Sequence, residues 1–297
     1  MPAEVHFLDV GQAHATVAID ADSALVVDCP QSGVPQATTL LNQLRPTQFD
    51  VVVTHQDMDH CKGISSLIRQ FGTSSTTLYM NPVGRRRPQD YPNVKTVLQG
   101  ILSAVEETGA STADAVAGTA GNTGSVGWSV LAPPHSRILG ANLLRNVGNA
   151  INRLSAVVLV RIGSFTFLIP GDIDDVAIRK LLASGASLSA DVLLLPHHGA
   201  KLAMINRLLA AVDPDYVVIS AGRRRTHPAL ETLSAAASYG CRLMCTQATR
   251  HCHPDDLASK HCAGTIVFDL SGGSPSVAPS PVHHQARINQ LKQPVCV

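Results

Sequence analysis

Thr54-His55-Gln56-Asp57-Met58-Asp59-His60 is the stretch of sequence that decides the fold. It follows the apolar run Val51–Val53, so it predicts a loop that leaves the end of a buried strand. Imidazole nitrogen and carboxylate oxygen suit zinc or manganese, the metals that activate water for hydrolysis. The alternative is a polar turn with a capping aspartate before a helix that starts near Cys61, but four ligand-type side chains at this spacing favour the metal site. These four are His55, Asp57, Asp59 and His60.

Length and composition indicate a folded globular protein. The chain has 297 residues, 45% hydrophobic and 15% charged, which excludes a disordered protein and allows one large domain or two small ones. The net charge of +1 predicts no overall attraction to nucleic acid or to a membrane. No secretory signal is visible, and no apolar run approaches the roughly 18 residues of a membrane span. We therefore expect a cytoplasmic protein without a membrane segment.

Strand-like and helix-like patterns alternate along the chain in two similar halves. This order favours an α/β (α+β) fold with two sheets back to back and helices outside. Residues 1–271 form the predicted domain, in which Gly109–Gly127 is an irregular loop or insertion, and residues 272–297 form a flexible tail. The predicted strands are Val5–Asp9, Ala15–Ile19, Ala24–Asp28, Asp50–Thr54, Thr76–Met80, Ser155–Ile162, Phe165–Ile169, Asp191–Leu195, Tyr216–Ser220, Arg242–Cys245 and Thr265–Leu270. The predicted helices are Gln36–Leu44, Gly63–Phe71, Val94–Glu107, Asp175–Ala183, Leu202–Ala211 and Ala229–Tyr239.

Three further strands are followed by residues that bind metals. Pro170-Gly171-Asp172 follows one strand, Pro196-His197-His198-Gly199 follows the next, and Thr226-His227-Pro228 follows a third after a loop. Packing alone does not favour strands that repeatedly end in aspartate or histidine. The pattern predicts that these strand ends converge on one site.

With these motifs, the chain resembles the metallo-β-lactamase fold superfamily, and within it the branch containing the hydrolase domain of ComEC-type competence proteins. The resemblance covers roughly residues 4 to 270, and it implies a four-layer αββα sandwich with a dinuclear metal site at the edge of the sheets. It rests on Phe7–Gln12, Val26–Asp28, His55–His60, Asn152–Ser155, Pro170–Asp172, Asp191–Gly199 and Pro214–Pro228.

The resemblance also implies a ligand set. His55 and Asp57 belong to one metal, Asp59 and His60 belong to the other, and Asp172 bridges the two. Of the adjacent histidines, His198 is favoured as a further ligand of the second metal, which leaves His197 beside the ligands or the substrate. Asp28 lies beneath the site and orients ligands by hydrogen bonds.

The chain departs from the superfamily pattern at positions that concern the ligands of the first metal. Asp57 stands where the superfamily motif usually has histidine, although this branch commonly has aspartate there. The opening motif usually runs Gly-Gln-Gly-Asp, whereas here it is Gly11-Gln12-Ala13-His14, so His14 either faces the site or marks a changed turn. His135 lies at about the right place for the separate histidine ligand of the first metal.

The function implied is a metal-dependent hydrolase that uses a hydroxide bridging two divalent ions, Zn or Mn. A phosphodiesterase or nuclease-type activity is favoured, with an anionic substrate such as nucleic acid or a nucleotide. The alternatives are hydrolysis of a carboxylic ester, amide or lactone, and a non-catalytic regulatory module. Candidate catalytic residues are Asp59, His197 and His227, and candidate substrate-binding residues are Arg223, Arg224 and Arg225.

A second cluster, in residues 241–264, suggests a structural zinc site. The chain has seven cysteines, an odd number that disfavours a disulfide framework. Thiolates and imidazoles at high density suit tetrahedral zinc, which would be one additional metal ion. Separate buried thiols with surface histidines, or a disulfide, remain alternatives. The favoured ligands are Cys245, Cys252, His253 and Cys262.

Overall fold

Two mixed β-sheets form the centre of the molecule. The structure, a computed structural model, describes residues 3–82, 85, 92–141, 151–222, 227–247, 264–272 and 275–278. In the first sheet the strand order is β15-β14-β1-β2-β3-β4-β5-β6. Its strands are Glu4–Phe7 (β1), Thr16–Asp20 (β2), Ser23–Val27 (β3), Gln48–Val53 (β4), Thr77–Met80 (β5), Ser111–Asp114 (β6), Ile266–Asp269 (β14) and Ser276–Ala278 (β15).

The second sheet has the order β13-β12-β11-β10-β9-β8-β7. Its strands β10 to β13 are parallel to one another, as are β3 to β6 of the first sheet. The strands are Ala120–Thr123 (β7), Val126–Ala132 (β8), Val157–Ile162 (β9), Phe165–Ile169 (β10), Val192–Leu194 (β11), Tyr216–Ile219 (β12) and Arg242–Cys245 (β13).

Helices cover the outer face of each sheet, so the predicted αββα sandwich is confirmed. Alternating side chains explain the layers, because neighbouring residues of a strand face opposite sides of its sheet. Leu25 and Val27 of β3 pack between the two sheets, whereas Val26 packs toward the helices. The helices are Val34–Leu44 (α1), Met58–Cys61 (α2), Ile64–Phe71 (α3), Lys95–Thr108 (α4), His135–Ala141 (α5), Asp175–Leu182 (α6), Ile205–Val212 (α7) and Leu230–Tyr239 (α8).

Two segments are more regular than their sequence predicts. The Gly109–Gly127 region was expected to be irregular, yet it contains β6, β7 and the start of β8. The segment 276–278 lies in the predicted tail, yet it forms β15, antiparallel to β14. In both regions the strands are defined by backbone pairing with distant partners, which small and polar side chains do not reveal. The remaining residues beyond 278 lie outside the described part of the chain.

The topology brings the predicted site residues to one edge of the sandwich. The loop after β4 carries the His55–His60 motif, and the loops after β10 and β11 carry Asp172 and His197-His198. The backbone N–H of Ala156, just before β9, donates to the carbonyl of Thr54, just after β4, over 2.8 Å. This hydrogen bond ties the two sheets together beside the converging loops. In the part of the chain that the structure describes, no helix has the length and apolar character needed to cross a bilayer.

Candidate metal centre

Asp172 lies at the centre of a cluster of histidines. Its Oδ1 is 3.3 Å from Nε2 of His60. Its Oδ2 is 3.7 Å from Nε2 of His198, 3.8 Å from that of His197 and 4.0 Å from that of His55. Four imidazole nitrogens from two loops therefore surround one carboxylate from a third. The two oxygens of Asp172 together lie near all four rings, so the carboxylate is placed to be shared between neighbouring cations.

Two aspartates of the opening motif complete the cluster from the solvent side. Oδ2 of Asp57 is 3.7 Å from Nε2 of His55, and Oδ2 of Asp59 is 3.7 Å from Nε2 of His198. Asp57 occupies the N-cap position of α2, but its side chain makes no capping hydrogen bond within the described residues. Its carboxylate is therefore not engaged in the role that the polar-turn alternative assigned to it. His55 with Asp57, and Asp59 with His60 and His198, form two neighbouring half-sites on either side of Asp172.

The tautomer of His60 is fixed by Asp28, which is fully buried behind the site. Nδ1 of His60 lies 2.7 Å from Oδ2 of Asp28. A carboxylate can only accept hydrogen bonds, so Nδ1 carries the proton. The lone pair of the neutral ring is then on Nε2, which faces Asp172 and is the nitrogen that a metal ion would use.

The same argument fixes the other two buried histidines. The single proton of the Thr54 hydroxyl goes to Asp28 over 2.6 Å, so Thr54 Oγ1 accepts from Nδ1 of His55 over 3.1 Å. Nδ1 of His198 lies 2.8 Å from the carbonyl oxygen of Ser220, which can only accept. In all three rings Nδ1 faces a hydrogen-bond acceptor and therefore carries the proton. Nε2 then presents its lone pair to the interior of the cluster.

Those Nε2 atoms satisfy a direct test of whether the site fits metal ions. Among the described residues, Nε2 of His55, His60 and His198 is buried and makes no hydrogen bond. A buried polar atom without a partner costs about 1–3 kcal/mol, so three of them around one carboxylate need an explanation. Cations in the two half-sites would remove the cost of all three. The residues present therefore fit a metal centre.

The charges of the site lead to the same conclusion. The four carboxylates carry four negative charges, and two divalent cations carry four positive charges. Burial lowers the pKa of His60, but the charges of Asp172 and Asp28 outweigh burial and hold that pKa well above its ordinary value. Without a cation, this negative potential would draw a proton onto His60, and a metal ion would take the place of that proton. The carboxylates are Asp28, Asp57, Asp59 and Asp172.

His14 supports the site from behind and does not face the interior of the Asp172 cluster. Its Nδ1 lies 3.1 Å from Asp28 Oδ2, and its Nε2 lies 2.8 Å from the Thr16 hydroxyl. Both ring nitrogens therefore have hydrogen-bond partners. His14, Asp28 and His60 lie close enough to hold a metal ion, but the distances among them are hydrogen-bond distances, so we assign them to the supporting network. Burial raises the pKa of Asp28, but the charge of His60 and hydrogen bonds from His14 and His60 outweigh it and hold that pKa below its usual range.

Unusual backbone conformations place the loops that carry Asp172 and the adjacent histidines. His197 and His198 both have left-handed backbone conformations, with φ of 52° and 54°. Such conformations cost of order 1–3 kcal/mol each in a residue other than glycine and are found where a site requires them. Gly171 also has a positive φ of 57°, and a Cβ there would lie 2.9 Å from Cβ of Thr54 and 3.0 Å from that of Ser155. The Pro170-Gly171-Asp172 turn therefore needs glycine both for its conformation and for its close packing.

We expect Gly171→Ala to destabilise the fold by about 2–4 kcal/mol, because strain and steric overlap act together. Gly185→Ala is the matched control, since Gly185 has a φ of 77° and no atom within 4 Å of its would-be Cβ. The control carries the conformational cost alone, about 1 kcal/mol. Urea unfolding of both variants measures the difference. Equal losses of stability would show that the close approach of Thr54 and Ser155 is unimportant.

Some predicted site residues lie elsewhere. His135 is exposed at the first residue of α5, and within the described ranges it belongs to none of the clustered His/Asp groups. The prediction for His135 used its distance along the chain and did not account for the helix that begins there. His197 is the further histidine whose ring lies near Asp172. His227 lies beside His197, with ring centroids 5.3 Å apart. Arg223, Arg224 and Arg225 lie outside the described residues.

The cysteine cluster is only partly within the described chain. Cys245 is a buried thiol at the end of β13, and Cys241 is a partly buried one just before it. Cys252, His253 and Cys262 lie outside the described residues, so the structural zinc site stays a prediction. Near the metal centre, burial raises the pKa of the Cys29 thiol to about 12. Burial also raises the pKa of Cys61, whose Sγ donates to the carbonyl of Gln56, in keeping with a packing role for both thiols.

The residues that sequence reasoning missed are the ones that orient the ligands. Thr54 links Asp28 to His55, Ser220 holds His198, and Ser155 Oγ accepts the backbone N–H of Asp172 over 3.2 Å. Each is a small polar residue at a strand end, next to or near a predicted ligand. For Thr54 and Ser155 the available signal was a buried hydroxyl in that position, since such a hydroxyl needs a hydrogen-bond partner, whereas Ser220 holds His198 through its backbone carbonyl.

A cleft of about 600 Å³ opens beside the centre and borders Asp59. Lys62 and the exposed Met58 lie on one wall, and Gln12 lies on another. The side-chain oxygen of Gln12 accepts from the backbone N–H of Gly222 over 3.0 Å, and its amide nitrogen is buried with no hydrogen-bond partner in the described chain. The cleft therefore offers an ammonium group next to the candidate metal centre, and a residue of its wall has a buried amide nitrogen without a partner among the described residues.

The fold has known counterparts. The metallo-β-lactamase fold protein YhfI from Bacillus subtilis superposes with a TM-score of 0.51 over 80% of this chain and 94% of that chain, at 13% identity. The chain has the metallo-β-lactamase fold. No protein-family model matches it. The metallo-β-lactamase fold explains why the ligand loops of the two sheets meet at one edge of the sandwich.

Two curated proteins are similar in sequence. Recombination protein 2 of Haemophilus influenzae is 26% identical over 226 residues, which are 74% of this chain and 24% of that protein. ComE operon protein 3 of Bacillus subtilis is 22% identical over 202 residues, which are 66% of this chain and 23% of that protein. The chain therefore spans about a quarter of the length of these relatives. The resemblance to the metallo-β-lactamase fold and to competence proteins is confirmed.

Proposed function

We propose that the protein is a metal-dependent hydrolase whose substrate is a phosphodiester. The observation that carries this proposal is the set of three buried, unpaired Nε2 atoms arranged around Asp172. When bound, two divalent cations lower the pKa of water and neutralise the charge that develops in hydrolysis. His55 and Asp57 would hold one ion, and Asp59, His60 and His198 would hold the other, with Asp172 shared between them.

The chain's own residues do the positioning. Asp28, Thr54 and Ser220 fix the histidine rings, so that little reorganisation is needed when a substrate arrives. His197 is partly exposed, with 32% of its side chain accessible, and it lies between Asp172 and His227. An accessible imidazole at this place is suited to give a proton to the leaving oxygen. We assign that role to His197, with His227 beside it.

An anionic substrate is supported by the cleft beside Asp59. The Lys62 ammonium group can pair with a phosphate outside the reacting centre, and the unused N–H of Gln12 can donate to an oxygen of the same substrate. The arginines at 223 to 225 follow Gly222, which lines this cleft, and we keep them as substrate-binding residues. A relative described as a recombination protein supports nucleic acid or a nucleotide as the substrate.

Hydrolysis of two model esters tests the proposal. Purified protein loaded with zinc or manganese is expected to cleave bis-p-nitrophenyl phosphate faster, relative to the uncatalysed rate, than p-nitrophenyl acetate. His60→Ala removes a metal ligand and should lower phosphodiester cleavage by at least about a hundredfold. His6→Ala is the matched control, because His6 lies on β1 and pairs with Glu4 away from the centre.

The outcomes separate the possible functions. Cleavage of the acetate alone would overturn the substrate class and favour carbonyl chemistry at the same centre. Retained phosphodiester cleavage in His60→Ala would show that the reaction does not use this site. Absence of any bound metal in protein prepared with excess zinc and manganese would refute the hydrolase proposal itself.

A further inference from the structure

A second, smaller cavity of about 200 Å³ lies under α6, separate from the cleft beside Asp59. Its floor is apolar and is formed by residues that include Val157 of β9 and Leu181 of α6. Ala177, Lys180 and Leu181 line it from one face of α6, as expected for residues three and four positions apart, and Ser184 lines it just beyond the end of that helix. None of the metal-centre residues lines this cavity.

Three cations line the cavity, and among the described residues only Arg153 forms an ion pair with a carboxylate. Arg153 pairs with Asp174 at 2.5 Å, and Asp174 also caps α6. Within the described part of the chain, the side chains of Arg137 and Lys180 make no hydrogen bond or ion pair. Partial burial lowers the pKa of Arg137. The nearby negative charge of Asp174 raises that pKa, and the positive charge of Arg153 lowers it. Three positive charges and one negative charge leave two positive charges at the mouth of an apolar cavity.

The cavity also contains a buried hydroxyl with an unused proton. Ser155 is 1% exposed and lines the cavity. Its Oγ accepts the backbone N–H of Asp172 over 3.2 Å, and within the described residues its own proton has no acceptor. A hydroxyl in this state is ready to donate to an anion. This observation is independent of the surface cations and points to the same kind of ligand.

We infer that this cavity is an anion-binding site for a phosphate monoester that carries a small apolar group. A phosphate monoester has a charge of about −1.5 to −2 at neutral pH, which matches the two uncompensated positive charges. Guanidinium groups bind phosphate oxygens through paired hydrogen bonds, and Lys180 and Ser155 supply further donors. The apolar floor accepts the substituent, and the small volume excludes a polymer. One hydrogen bond, from Asp172 N–H to Ser155, connects this site to the metal centre.

Calorimetric titration with phenyl phosphate tests this inference. Wild-type protein is expected to bind it, Arg137→Gln to bind it at least about tenfold more weakly, and Lys180→Gln several-fold more weakly. Arg179→Gln is the matched control, because Arg179 is the neighbouring exposed cation on α6 and does not line the cavity. Any binding of phenyl phosphate at the metal centre would be the same in all four proteins, so the differences among them report on the cavity.

Two results would overturn the inference. One is equal affinity of Arg137→Gln, Lys180→Gln and Arg179→Gln for phenyl phosphate, and the other is no binding to the wild-type protein. Lys180 is exposed, so its variant is expected to fold even if Arg137→Gln is destabilised, and thermal melts check both. The readout is binding and not turnover. A failure here therefore leaves the hydrolase proposal intact, and a failure of that proposal leaves this site intact.

Discussion

Asp172→Asn is expected to lower phosphodiester cleavage by about a thousandfold and to reduce bound metal from two ions to one or none. Asp172 is the residue whose two oxygens face His60 on one side and His55, His197 and His198 on the other. Asparagine has one acceptor oxygen and no charge, so it cannot bridge two cations. The loss of about 4 kcal/mol of transition-state stabilisation corresponds to that factor. Metal analysis by mass spectrometry and initial rates on bis-p-nitrophenyl phosphate measure both effects.

Asp213→Asn provides the matched control. Asp213 lies at the end of α7 in a left-handed conformation that asparagine also tolerates, and it hydrogen-bonds Tyr239 away from the centre. The substitution Asp213→Asn makes the same chemical change at the surface, so both the metal content and the rate of phosphodiester cleavage should stay at the wild-type level. Two bound ions and an unchanged rate in Asp172→Asn would show that the carboxylate does not bridge metals.

The ligands were predictable because they stand where buried strands end. The apolar runs before His55, Asp172 and His198 each predict a strand, and each strand is present. The carboxyl ends of parallel strands lie at one edge of their sheet, so ligand-type residues directly after those strands are expected to converge. His198 is buried while His197 is partly exposed, and the choice of His198 as the ligand stays a prediction.

The supporting interactions were not predictable from local patterns, because they join residues far apart in the chain. Ser220 holds His198 from 22 residues away, and the supporting role of Asp28, 32 residues from His60, was implied only by the family resemblance. No local pattern shows which backbone carbonyl will face a given ring. The same limit applies to His135, which was predicted from its distance along the chain and is exposed at the start of a helix. It also explains β6 and β15, whose partners are specified by backbone pairing.

Asp28→Asn is expected to weaken metal binding by about 10–100-fold, although Asp28 would touch neither metal. The asparagine carbonyl can still accept from the backbone N–H of Thr54, as Oδ1 of Asp28 does over 2.7 Å. Its NH2 group then replaces Oδ2 and becomes a donor facing Nδ1 of His60. His60 must accept at Nδ1 and carry its proton on Nε2, where the metal ion should bind. Zinc affinity measured by competition with a chelator reports the change, and asparagine tolerates the left-handed φ of 58° at this position.

Asp191→Asn separates this effect from a general loss of stability. Oδ2 of Asp191 accepts from the backbone N–H and the hydroxyl of Thr166, both over 2.7 Å, so a similar but only partly buried support is removed in the second sheet. That variant should lose stability and keep its zinc affinity, whereas Asp28→Asn should lose zinc affinity even below its melting temperature. If both variants bind zinc as the wild type does, the tautomer of His60 is not held by Asp28. If only Asp28→Asn loses zinc affinity, the ligand rings of this site depend on a carboxylate that the ions would not contact.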